Sequence, residues 1–100
     1  VEDCNPFNGI YCAVTRKDYN HLPEGGWNPQ ECVTPEDAVD MFTIESAYHE
    51  FMEDKKGRLK AGFLADLIVL DTDLFTCDPD DILHIQPVLT MVDGKVVYQK

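Results

Sequence analysis

The stretch from Lys56 to Asp71 constrains this chain more than any other. Gly57 and Gly62 bracket its entrance, and between Ala65 and Leu70 lies an apolar run rich in β-formers, which reads as a buried strand entered through a tight turn. Gly62 follows Lys60-Ala61 where the chain must reverse, and glycine reaches positive φ at no steric cost. A turn there delivers Asp66 to the mouth of the strand. Residues before this stretch read as helix and loop, and residues after it read as sheet. The fold class expected is therefore α+β, with two main helices and a long loop followed by a small, mainly antiparallel sheet.

Each helix announces its start. Asn5 can cap free amides, Pro6 fits the first helical position, and Phe7, Ile10, Tyr11 and Val14 recur on one face, with Arg16-Lys17 at the negative end of the dipole. Thr34-Pro35-Glu36-Asp37 opens the second helix, and Ala38, Met41, Phe42, Ile44, Tyr48, Phe51 and Met52 form one continuous stripe expected to face a core. Asp40, Glu45 and Glu50 point away from it, and Asp54-Lys55-Lys56-Gly57 stops the helix. Between the helices, residues 18–33 hold Pro23, Gly25, Gly26, Asn28 and Pro29 without periodicity, as a mobile loop or a lid does. Trp27 in that loop reads as an anchor packed back onto the fold, with substrate contact as the second reading. Downstream, Asp78-Pro79-Asp80-Asp81 repeats the capping logic for one short helical turn, and residues 86–99 alternate around Asp93-Gly94 as a hairpin. Its strands are apolar on both faces, which implies a covered sheet.

Charge narrows the function. With 8 basic and 19 acidic residues the chain carries −11, a sign that repels phosphate backbones and anionic lipid, so neither nucleic acid nor membrane is expected as a partner. The four cysteines, Cys4, Cys12, Cys32 and Cys77, form no Cys-x-x-Cys pair and read as free, mostly buried thiols in a cytoplasmic protein. The three histidines, His21, His49 and His84, stand singly, so the pairing that places two metal ligands on one face is missing. Asp71-Thr72-Asp73-Leu74-Phe75 does not make a calcium loop, because Phe75 and Thr76 occupy positions that need a ligand and a glycine. No phosphate loop or nucleophile elbow is present. On this reading the chain holds no catalytic residue and no metal ligand of its own.

Three segments together carry a resemblance. Gly57-x-Leu59-x-x-Gly62-x-x-Ala65-Asp66-Leu67-Ile68-Val69-Leu70-Asp71 resembles the C-terminal signature of the metal-dependent amidohydrolase superfamily. Residues 88–98 are similar to that family's closing hairpin, and residues 1–6 to the loop after its last barrel strand in the branch of the N-substituted formamide deformylases. Residues 43–48 are similar to the end of its last outer helix, with Glu45 where the family usually has Asn. The resemblance implies that residues 1–54 are the loop and terminal helices of a catalytic (β/α)8 barrel, and residues 55–100 the C-terminal part of a composite β-sandwich domain. A whole barrel needs roughly 250 residues, so the chain is expected to be a C-terminal piece of an enzyme and inactive alone. That enzyme is expected to hydrolyse non-peptide carbon–nitrogen bonds of small amides or formamides with a divalent metal, zinc before others, bound outside this chain. Its partners are the missing barrel of the same polypeptide and the small amide itself. Asp3, Asn5, Pro6 and Trp27 are expected near the substrate. The alternative is a small acidic, non-catalytic module that binds another protein through its uncovered apolar face.

Overall fold

The computed structural model describes residues 3–100, so the part of the opening loop formed by Val1 and Glu2 lies outside the described residues. The chain packs as two compact units, one formed by the chain up to Val39 with Asp73–Ile85, the other by Asp40–Thr72 with Gln86–Lys100.

The first unit is organised around helix α1, Pro6–Thr15, which begins and ends as its sequence dictates. Asn5 accepts the Phe7 amide at 3.0 Å, and Arg16, in the left-handed conformation, returns its amide to the Cys12 carbonyl at 2.8 Å. Phe7, Ile10 and Tyr11 are buried, as are Leu74, Ile82 and Ile85 from the returning segment, and Tyr11 has no exposed surface at all. The returning segment carries a 3-10 turn, Pro79–His84, capped by Asp78, which accepts the Asp80 amide at 2.9 Å. Full burial of a side chain such as Ile82 is worth about 1.5–3 kcal/mol, and this cluster holds the unit together.

Helix α2 spans Pro35–Phe42, with Thr34 accepting the Asp37 amide at 3.1 Å. The long second helix expected from the apolar stripe is not one helix: Thr43 leaves helical geometry at φ −123° and ψ −89°, and α3 covers only Ile44–His49. Two causes meet there. The Ser46 hydroxyl donates to the Met41 carbonyl at 2.7 Å, and the backbone of Gly57 comes in close. A Cβ at Gly57 would lie 3.0 Å from the Ala47 methyl and 3.1 Å from the Thr43 carbonyl oxygen. The stripe is not a core within this chain either. Ala38 and Ala47 are buried, but Met41, Phe42 and Tyr48 are exposed, and Phe51, at positive φ beyond α3, is 90% exposed.

The second unit holds an antiparallel sheet of three strands in the order β1-β2-β3: Leu67–Leu70, Pro87–Val92 and Lys95–Gln99. Leu67 pairs with Met91 and Thr90 with Tyr98, and the register slips between Val69 and Leu70 and again between Thr90 and Met91. Asp93 and Gly94, at φ 49° and 76°, form the two-residue turn expected of Asp-Gly. The strand expected to be buried is not. Ile68 and Val69 are exposed, β3 is exposed along its length, and no residue of the three strands is fully buried. The cysteines also differ from expectation: none of the four is in a disulfide, but Cys4 is exposed and the other three are only half-buried. Among the described residues no helix is long and apolar enough to cross a membrane.

The two glycines of the central stretch separate strain from crowding. Gly57 and Gly62 have φ of 97° and 89°, but only Gly57 has atoms within 4 Å of an added Cβ. Gly62→Ala is expected to cost roughly 1 kcal/mol through its backbone alone, and Gly57→Ala at least about 2 kcal/mol, because the Thr43 carbonyl must also move. Chemical denaturation of the two variants checks the ranking.

Candidate functional site

Three of the four residues expected near substrate lie together at the start of α1. Asp3 accepts the Asn5 amide at 2.9 Å through one carboxylate oxygen and the Asn8 side-chain amide at 3.3 Å through the other, while Asn5 caps Phe7 and Pro6 occupies the first helical position. All three are exposed. Their polar atoms are engaged in ordering the helix start. Trp27 lies at the other end of the helix, roughly 16 Å away at 1.5 Å per residue. Its amide donates to the Arg16 carbonyl at 2.9 Å, the Arg16 Nε donates to the Trp27 carbonyl at 2.7 Å, and the guanidinium stands 5.1 Å from the ring centroid. The backbone is thus anchored while the indole stays 62% exposed. Gly26 makes the approach possible, since a Cβ there would collide with the Thr15 carbonyl.

A polar cluster that no local pattern signals lies in the same unit. The buried Tyr11 hydroxyl donates to the Asp18 carbonyl at 2.8 Å and lies 2.8 Å from His21 Nδ1. The same His21 nitrogen is 3.5 Å from an Asp80 carboxylate oxygen, which also takes Lys17 Nζ at 3.3 Å. Burial pushes the Tyr11 phenol up, as does the nearby Asp80 charge, against a lowering hydrogen bond from Thr15. Burial, with Asp81 next, likewise pushes the Cys77 thiol up, so it is a poor nucleophile at neutral pH.

In the second unit the residues of the central stretch act on the hairpin. Asp66 accepts the Asp93 amide at 2.8 Å and the Ala65 carbonyl accepts the Gly94 amide at 3.0 Å, so this Ala-Asp pair grips the β2–β3 turn. Farther along, Asp71 accepts the Gln86 amide at 3.1 Å and the Thr72 hydroxyl at 3.0 Å. The Gln86 amide, more than any other group, holds its carboxyl below the ordinary value. A groove of about 390 Å³ runs beside α3, lined by Phe42, Ala47, Leu67 and Ile68 and bordered by a Lys56–Glu50 ion pair at 2.9 Å.

The described residues do not fit a divalent metal. Among the described residues, no three of the histidines, cysteines and acids converge as ligands would. His21 is engaged as above and His49 lies edge-on to Tyr48.

The chain belongs to the amidohydrolase family, whose model it matches over residues 1–98. It is 31% identical over 100 residues to YtcJ of Bacillus subtilis (strain 168), a match that covers all of this chain and 19% of that protein. It is 31% identical over 96 residues to the N-substituted formamide deformylase of Arthrobacter pascens, covering 96% of this chain and 17% of the relative. A 5-methylthioadenosine/S-adenosylhomocysteine deaminase of Symbiobacterium thermophilum is 39% identical over 75 residues, 66% of this chain and 17% of the enzyme. The chain therefore spans less than a fifth of the length of these relatives.

The Asp71 bond gives a pH dependence of known sign. A carboxyl held low in the folded state contributes stability that is present above its unfolded value of 3.8 and lost as pH falls through the folded one. Exchange protection of the Gln86 amide is expected to hold at neutral pH and to fall below that value, and Asp71→Asn should remove the dependence. Amide exchange followed by NMR checks both.

Proposed function

We propose that this chain is the C-terminal part of a longer hydrolase that cleaves non-peptide carbon–nitrogen bonds, with small amides or formamides as substrates. The single observation that carries the reading is the family match over residues 1–98 set against relatives more than five times as long. One of those relatives is named for deformylating N-substituted formamides and another for a deamination, and both reactions break a carbon–nitrogen bond.

On this reading residues 1–54 belong to the rim and outer helices of the catalytic barrel, and residues 55–100 to a composite β-sandwich. The apolar side chains of α2, α3 and the sheet are then surfaces that the rest of the enzyme covers. Asp3, Asn5, Pro6 and Trp27 border the substrate from fixed positions, by capping α1 at one end and closing its loop at the other. The divalent metal of the family, zinc before others, is held by residues outside this chain. Four cysteines outside any disulfide fit a cytoplasmic enzyme.

The test is to express the longer reading frame beside the 100-residue chain and assay both on N-substituted formamides, with and without a chelator. The longer protein is expected to hydrolyse them in a metal-dependent way, and the short chain to do neither that nor retain metal through gel filtration. Hydrolysis or stoichiometric metal in the short chain contradicts the division of labour. A longer protein inactive on amides and formamides, with metal bound, contradicts the substrate class.

A further inference from the structure

We infer that His21 carries its hydrogen on Nδ1 and donates it to the Tyr11 oxygen, which ties the start of the loop of residues 18–33 to α1. The inference follows from counting protons around the Tyr11 oxygen. A phenol has one hydrogen to give. Tyr11 gives it to the Asp18 carbonyl at 2.8 Å, yet His21 Nδ1 also lies 2.8 Å from the same oxygen. Two acceptors cannot share that single hydrogen in full, so Nδ1 must be the donor of the second bond. Asp80 points the same way independently: its carboxylate oxygen lies 3.5 Å from Nδ1, where a bare lone pair would be repelled and an N–H is attracted.

The charged and titratable groups facing the ring are Tyr11 from α1, Lys17 and Asp18 from the start of the loop, and Asp80 from the 3-10 turn. Lys17 shares the Asp80 oxygen at 3.3 Å, and the Asp18 carboxylate is turned away to the Asn20 and Leu22 amides at 2.8 and 3.1 Å. In the opposite tautomer Tyr11 would have to donate to Nδ1, leaving the Asp18 carbonyl with the His21 backbone amide at 2.9 Å as its partner.

The test uses the full 100-residue chain. Long-range 1H–15N NMR at about pH 8 is expected to show a protonated Nδ1 and a bare Nε2. His21→Asn places an amide donor near the Nδ1 position and tolerates the φ of 64° found there, so it should keep the exchange protection of the Asp18 and Leu22 amides at that pH. His21→Gln and Tyr11→Phe should each lower it roughly fivefold. A protonated Nε2 with bare Nδ1, or an Asn variant as exposed as the Gln variant, would each overturn the inference.

Discussion

The sheet of this protein depends on a grip between two distant pieces of backbone. Asp66 and Ala65, just before β1, hold the amides of Asp93 and Gly94 at 2.8 and 3.0 Å, 27 or more residues along the chain. None of the three strands contributes a fully buried side chain, so apolar burial within the chain does little to fix their register. Backbone ladders and this pair of bonds do that instead. The Ala65-Asp66 pair is thus explained by what it holds, a turn whose two residues both sit at positive φ.

The first unit is stabilised differently. Tyr11 and Ile82 are removed from water entirely, with Ile10, Ile85, Leu74 and Phe7 around them, and the surrounding loop is tied down by hydrogen bonds from both of its ends. The loop leaves α1 through Arg16, which binds Trp27 by two backbone carbonyl contacts, and returns through Val33, whose amide donates to the Ala13 carbonyl at 3.1 Å. A segment with so many breakers looks mobile in sequence. Here the breakers allow tight turns beneath which polar groups find partners.

What was legible in the sequence was local. Asn5-Pro6, Thr34-Pro35, Asp78-Pro79 and Asp93-Gly94 each specify a cap or turn within four residues, and each forms as its chemistry requires. What was not legible depended on residues far apart. The stripe from Ala38 to Met52 has helical spacing throughout, yet it breaks at Thr43 where the Gly57 backbone arrives, and periodicity contains no sign of that approach. Periodicity also identifies a face without saying what covers it, so Phe51, Tyr48, Ile68 and Val69 read as core and stand exposed. The Tyr11–His21–Asp80 cluster joins α1, the loop and the 3-10 turn, and its histidine looked solitary for that reason.

The central claim is that the first unit carries a buried apolar core within this chain while the sheet does not. Residue-resolved amide exchange on the 100-residue chain tests it most directly. Amides in the last turns of α1, above Tyr11, are expected to be at least about tenfold better protected than the ladder amides of β2 and β3, because opening the sheet uncovers little buried apolar surface. Equal or greater protection in the sheet would contradict the claim, and would mean that this chain already supplies what its strands need.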